Sequence, residues 1–367
     1  MGRVFIGWHI MAHDYNQLRS LAVRVLQGSL DLEKACQDLA AQDASWMWDV
    51  CAGTQRWRGR ADYLLRPLAK KMPKGFVLEC LRMAIYQKLG QDRSVWPKVV
   101  SETVTLVHTN ESEHAARFVN AILRRLELKE GDGAEYWSLP TWLWDQLCLE
   151  RGVEWTRAFA QSCLERPVNT TVNQDGSVAV FQGIFHGDGF VQDISNQALV
   201  QEVIALQPRH VLDLCAAPGG KSLGLVQGGM TVTATDKHRE PMLRSSVGTK
   251  VRVMGWEQVW ADASLFADCV WIDAPCSAMG LIRRHPEIKW NRVMLDVEAL
   301  VKVQTALLAQ VWERLAPGAL LVYSVCSVMK AEGEAVTAQY VPIKEWLYAP
   351  HLTGGDGMYA ALMRKPA

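Results

Sequence analysis

The chain has 367 residues, 49% of them hydrophobic, which is enough for two domains that each bury a core and speaks against a disordered or fibrous protein. Lysine plus arginine equals aspartate plus glutamate at 39 each, so a polyanionic partner has to be met by a local basic surface and not by net charge. Nine cysteines with no CxxC pair and no His/Cys cluster at ligand spacing argue against a zinc site or a disulfide framework, and free thiols imply a reducing, cytoplasmic compartment.

The first apolar stretch, Val4 to Met11, contains Gly7 and His9, is too short to span a bilayer and lacks a small-residue cleavage site, so no membrane segment is expected. From Tyr15 onward Leu18, Leu21, Ala22, Val25 and Leu26 fall on one helical face. Asp43 can cap a helix carrying Trp46, Met47, Val50 and Trp57; Leu78, Leu81, Ile85 and Leu89 mark another, and Phe118, Ile122 and Leu126 a third. The region therefore reads as an all-helical bundle. Gly131-Asp132-Gly133 breaks the periodicity and sets the first boundary near residue 132, after which a helix with Leu143 and Leu147 leads to Pro167. The fifteen tryptophans are scattered, as packing residues are.

Beyond Pro208 short β-rich runs, VLDLC, TVTATD, CVWIDAP and ALLVYSVCS, are separated by segments long enough for crossover helices, the pattern of an α/β parallel sheet. Ligands of such sheets sit beyond the carboxyl ends of the strands. The first run ends in Cys215-Ala216-Ala217-Pro218-Gly219-Gly220-Lys221, a turn that lets backbone approach a ligand and aims helix N–H groups at a carboxylate. It lacks GxGxxG, and a P-loop would need glycine where Cys215 stands, so spacing alone gives a generic nucleotide-type site. Asp236, closing the second run, can accept from both ribose hydroxyls or simply cap a helix; Asp262 can reach an adenine amino group or lie in a surface loop.

Asp273-Ala274-Pro275-Cys276 and Ser324-Val325-Cys326 end two further runs, which places two cysteines and an aspartate at strand ends. One cysteine there would be ordinary packing. Two beside an acid suit nucleophilic chemistry, because a thiolate is the strongest side-chain nucleophile near neutral pH. Between them Arg283, Arg284, His285, Lys289 and Trp290 form either a solvated loop or a surface for phosphate contact and base stacking.

In that order the motifs DLCAAPGGKS, ADAS, DAPCSAMGLIRRHPEIKW and YSVCS resemble the RsmB/Sun (Fmu) branch of the NOL1/NOP2/Sun RNA methyltransferases. The ARFVNAILRR stretch at 116–125 is similar to the NusB-like domain of that branch, and GGDGMY at 354–359 to its closing strand. The resemblance implies an α + α/β chain: a NusB-like helical RNA-binding domain over 1–132, a linking region over 133–195, and a Rossmann-like class I methyltransferase domain over 196–367 that uses S-adenosylmethionine (AdoMet). It implies methylation of cytosine carbon 5 in RNA, most naturally 16S ribosomal RNA, by a monomer needing no metal. Cys326 matches the nucleophile that adds to carbon 6, Cys276 the thiol that assists release, and Asp273 an acid that holds the base edge, donating if protonated or sharing a proton with the base. Cys215 to Lys221, Asp236, Asp262 and Asp273 match the cofactor contacts. A NusB-like RNA-binding or assembly factor with a degenerate methyltransferase half is the alternative.

Several positions depart from the family pattern. Val325 replaces a threonine before the nucleophile, Ala278 and Met279 replace Gly-Thr, Gly333 interrupts an acid-Asn-acid stretch, and Pro241 stands where an arginine is usual. A longer linking module is expected between Thr170 and Phe190, and most of it is missing.

Overall fold

Helix α1 (Tyr15–Leu26) turns Leu18, Ala22, Val23 and Leu26 inward, at the spacing its sequence demands, and a chain of further helices closes around that face. These are α2 (Leu32–Cys36), α3 (Ala41–Arg56), α4 (Arg58–Leu65), α5 (Gly75–Gly90), α6 (Trp96–Asn110) and α7 (Glu113–Arg124). In the computed structural model, residues 15–91, 94–173, 175–181, 189–262 and 268–367 are described, so Val4 to Met11 lies outside the described residues. Asp43 does not cap α3: the N-cap is Ala40, and Asp43 sits in the first turn, where its charge still favours the helix N-terminus. The core of this bundle joins Met47, Val50, Leu64, Leu81, Ile85, Leu106, Val119 and Ile122. Gly53 is required inside α3, since a Cβ there would lie 1.9 Å from Cζ of the buried Tyr86.

Contacts divide the chain into one unit of Met1–Asp145 with His285–Glu287 and a second of Gln146–Arg284 with Ile288–Ala367. The division thus falls inside helix α8 (Thr141–Arg151), later than the glycine-marked boundary near 132. The reason is that 134–139 still packs in the first unit: Ser138 Oγ accepts from the Gly59 N–H at 2.9 Å, and the Arg60 guanidinium lies 3.2 Å from the Tyr136 ring centre.

The second unit continues through α9 (Val153–Ser162) to an antiparallel sheet ordered β2-β1-β3, built from β1 (Asn169–Val172), β2 (Val178–Phe181) and β3 (Phe190–Val191). What remains of the linking region therefore keeps strand structure. Then come α10 (Ile194–Ile204), β4 (His210–Leu214), α11 (Gly220–Gln227), β5 (Thr231–Thr235), α12 (Glu240–Val247), β6 (Arg252–Val253) and α13 (Trp256–Ala261). The chain continues with β7 (Cys269–Asp273), α14 (Ile288–Asn291), α15 (Met294–Arg314), β8 (Leu320–Val325), α16 (Glu334–Thr337), β9 (Lys344–Tyr348), α17 (Pro350–Thr353) and β10 (Met358–Arg364).

These strands form a seven-stranded sheet ordered β6-β5-β4-β7-β8-β10-β9. Pairing from β6 to β8 is parallel, and β10 runs antiparallel to both β8 and β9. Alternating residues feed opposite layers: Leu212, Val270, Ile272, Leu321 and Tyr323 pack with α15, while Val211, Trp271 and Val322 pack with α10, α11 and α12. The Rossmann-like expectation holds. Chain order reverses between β4, β5 and β7, which opens a crevice at their carboxyl ends.

Candidate active site at the strand ends

Parallel register brings the reactive groups together. Asp273 pairs with Ser324 across β7 and β8, so the chain leaves both strands at one level and carries Cys276 and Cys326 out side by side. Their sulfurs stand 3.4 Å apart, and both thiols are free and partly exposed. The Gly280 N–H donates to the Cys326 carbonyl at 3.0 Å, and a Cβ on Gly280 would strike the Gly357 carbonyl at 1.9 Å, so only glycine fits there.

Lys221, in the first turn of α11, reaches Asp273 Oδ2 at 2.8 Å, and the Ser324 hydroxyl donates to Asp273 Oδ1 at 2.7 Å. The Trp271 indole N–H in turn donates to Ser324 Oγ at 2.9 Å. Both oxygens of Asp273 therefore act as acceptors, one of them from an ammonium group. The Lys221 ammonium and the Ser324 hydroxyl thus occupy the carboxyl that was expected either to donate as a neutral acid or to share a proton with the base.

The two thiols are not equivalent. A hydrogen bond from Cys276, with the nearby Lys221 charge, lowers Cys326 against the opposing effects of burial and Asp273. Its acceptance by Cys326, together with burial and the Glu332 carboxylate, raises Cys276 well above the usual thiol range. Both effects favour Cys326 over Cys276 as the thiolate of the pair.

The cofactor-type residues line the neighbouring strand ends. Cys215 begins the β4–α11 turn with a left-handed backbone at φ 60°, and Gly219, at φ 109°, is the N-cap of α11 and brings no side chain to its open N–H groups. Ala216 and Ala217 are buried, and Pro218 follows a cis peptide. Asp236 lies just past β5 and is buried; its Oδ1 accepts from the His238 and Arg239 N–H groups at 3.0 and 2.7 Å, and its Oδ2 from Ala217 at 3.2 Å. It ties two loops together and remains at the crevice. Open helix N–H groups, Gly220 and a strand-end carboxylate fit a carboxylate-bearing nucleoside. Asp262 is the C-cap of α13, partly exposed, and residues 263–267 after it lie outside the described residues.

Sequence reasoning missed Asp213 and Glu332. Asp213 is fully buried beneath the turn, receives the Ser222 hydroxyl at 2.5 Å, and burial pushes it up to about 7. Ser324 was signalled by strand alternation, which puts it on the Asp273 side together with Cys326. The same alternation explains Val325: it is fully buried and packs with Tyr323 in the α15 layer, against which Cys276 also packs, so that departure is a core change. Ala278 adopts φ 61°, where the family pattern has glycine, and Gly333 lies against the Tyr359 ring, which a Cβ would meet at 2.7 Å. Pro241 opens α12, and Arg239 approaches Asp236 at 3.6 Å.

The basic cluster is corrected by its partners. Arg283 is buried and donates to the carbonyls of Arg166 and Gly354, and Lys289 is buried with its ammonium 5.3 Å from the Trp290 ring centre. Arg284 binds Asp356 at 2.9 Å, Asn169 at 2.5 Å and Asp193 at 3.3 Å. These groups brace the fold and are not free for phosphate; His285, exposed, pairs with Glu287 at 3.4 Å. Arg284→Ala is expected to strand Asp193 and Asp356 and cost about 3 kcal/mol, read as a lowered calorimetric Tm; a purely RNA-contacting arginine would leave Tm unchanged.

Among the described residues no helix is long and apolar enough to cross a membrane, and no group of three or more His, Cys, Asp or Glu is placed to hold a metal.

Comparison with known proteins agrees with this architecture. Residues 203–346 match the family model described as 16S rRNA methyltransferase RsmB/F, and residues 3–128 match the NusB family. Ribosomal RNA small subunit methyltransferase B of Pasteurella multocida is 27% identical, over 95% of this chain and 96% of that protein; its counterpart in Salmonella arizonae is 27% identical, over 87% and 89%. The first alignment runs over 431 positions, more than the chain's 367 residues, so that relative carries segments this chain lacks. In fold, the crystal structure of PH0851 is similar over 97% of this chain and all of its own, with a TM-score of 0.71 at 18% identity. With both family models met in order along one chain, and the relatives spanned almost end to end, residues 203–346 carry an RsmB/F-family methyltransferase region and residues 3–128 a NusB-family domain ahead of it.

Proposed function

We propose that this chain methylates carbon 5 of a cytosine in small-subunit ribosomal RNA, in the cytoplasm, through a temporary bond between Cys326 and the base. The observation that carries the reading is the pair of free thiols 3.4 Å apart beside the Lys221–Asp273 ion pair. The Cys326 thiolate adds to carbon 6, the carbon 5–carbon 6 π pair moves to carbon 5, and Lys221 with Asp273 holds the base edge that takes up the displaced charge. Bound AdoMet supplies the sulfonium methyl group that the electron-rich carbon 5 accepts. After the proton on carbon 5 passes to water, the double bond re-forms and Cys326 departs as a thiolate. The Cys276 S–H, already placed to donate to that sulfur, stabilises it as it leaves.

Carbons 5 and 6 are covered in a stacked duplex, so the target cytosine has to be unpaired or flipped out. The helical NusB-family unit is the second RNA-holding surface. Asp236 and the open N–H groups of α11 would hold the cofactor's ribose and carboxylate. Asp236→Ala is accordingly expected to weaken AdoMet binding by about 2 kcal/mol, roughly 30-fold in Kd by calorimetric titration.

The reading is tested by incubating the full chain with unmodified small-subunit ribosomal RNA and methyl-labelled AdoMet, then analysing nucleosides. Label in 5-methylcytidine is expected. An RNA-binding protein without label in any nucleoside would be the assembly-factor alternative and would refute the proposal.

A further inference from the structure

We infer that Glu332 is a positioning residue for this reaction: it anchors the turn that bears Cys276 and fixes which of the two thiols keeps its proton. The inference rests on the two-thiol reading above. Glu332 follows Cys326 by six residues and is fully buried, yet no ion pair holds it among the described residues. Its Oε1 accepts from the Ser277 N–H at 2.7 Å and from Gln304 Nε2 at 3.1 Å, and its Oε2 from the Ser277 hydroxyl at 2.5 Å. Gln304 also donates to the Pro275 carbonyl at 2.9 Å, so one carboxylate and one amide grip both neighbours of Cys276. The Tyr323 hydroxyl donates to the Glu332 carbonyl at 2.7 Å and fixes the acid from β8.

From outside, the loop bearing Glu332 is held as well. Glu150 accepts from the Lys330 and Ala331 N–H groups at 2.7 and 3.3 Å, and Arg151 pairs with Glu334 at 2.6 Å and donates to the Val328 carbonyl at 2.9 Å.

A carboxylate buried without a counter-ion costs several kcal/mol relative to a neutral side chain of the same shape, and a glutamine could grip Ser277 nearly as well. The charge itself therefore has an effect to account for. The ionisable groups around Cys276 are Cys326, Glu332 and Tyr323; Cys326 in turn faces Lys221 and Asp273. A negative charge on the Cys276 side and a positive one on the Cys326 side polarise the S–H···S pair in one direction. Cys276 stays the donor and Cys326 the anion, as attack and departure both require.

The test compares wild type, Glu332→Gln and Ser277→Ala as full chains. Iodoacetamide alkylation of each thiol is followed by peptide mass spectrometry from pH 6 to 9. In wild type Cys326 is expected to react ahead of Cys276 throughout. Glu332→Gln is expected to raise the Cys276 to Cys326 rate ratio by about tenfold, the effect of roughly one pKa unit between the two sulfurs. Ser277→Ala, which keeps the charge and loses one bond, should leave the ratio within about twofold of wild type. An unchanged ratio in a Glu332→Gln chain with native Tm overturns the inference. If that variant does not fold, Glu332→Asp replaces it, with the order of thiol reactivity expected to be kept and its reversal counting against the idea. With RNA and AdoMet present, Cys276→Ala should accumulate a covalent RNA adduct. No adduct with Cys276→Ala refutes the two-thiol reading, and the alkylation ratio still decides the question of Glu332.

Discussion

Cys326→Ala is expected to lower methyl transfer by at least about 10³-fold, because the neighbouring Cys276 thiol is pushed well above the usual range and is a poor nucleophile, and cofactor binding alone does not activate carbon 5. Its neighbour gives a different result. Cys276→Ala still permits attack but removes the S–H that stabilises the departing thiolate, so protein bound to RNA is expected to accumulate as a band resistant to denaturant. The two outcomes come from one geometry, two thiols whose sulfurs stand 3.4 Å apart. Equal and partial losses from both substitutions would mean that the sulfurs do not divide the work.

Lys221→Met carries the second large effect, and it has two readouts. The ammonium is only 14% exposed and its partner Asp273 only 23% exposed, so its removal leaves a carboxylate poorly solvated and without its cation. The cost is about 3 kcal/mol, a fall in Tm of roughly 6–12 °C for a unit of this size. The sign of the second effect follows from charge. Lys221 lowers Cys326 and Asp273 opposes it, so losing the lysine moves Cys326 upward. Alkylation of Cys326 in the variant is then expected to switch on at higher pH than in wild type, with a fall in methyl transfer at neutral pH. An alkylation profile that does not move would show that the lysine acts on Asp273 alone.

Much of this site could be read from the sequence because strand ends are a local signal. The run DLCAAPGGK announces a strand, a turn and a helix start, and the strand periodicity of CVWIDAP and YSVCS places Asp273, Cys276 and Cys326 at one edge of a parallel sheet. Glu332 was not legible in this way. Its role depends on Ser277, 55 residues earlier, and on Gln304 in α15, and an acid in Glu332-Gly333-Glu334 looks like surface until the fold buries it.

The arginine pair misled for the same reason. Sequence displays the charge of Arg284 but not Asp193 and Asp356, which lie 91 and 72 residues away and neutralise it. The domain boundary was displaced because a glycine pair marks where periodicity breaks, whereas the contacts follow Tyr136, Leu139 and Leu143, all buried beyond that break. The linking region illustrates the remaining limit: missing length can be counted from sequence, but the three short strands that survive are fixed by pairing, Thr171 facing both Ala179 and Val191.

The most direct measurement is the identity of the cysteine bonded to RNA. The adduct formed by the Cys276→Ala chain with ribosomal RNA and AdoMet can be digested with nuclease and trypsin and the linked peptide sequenced by mass spectrometry. A methylated cytidine residue carried on the peptide containing Cys326 is the expected result. A nucleotide on another cysteine, or wild-type methylation of carbon 5 with no protein–RNA bond ever trapped, would contradict the account.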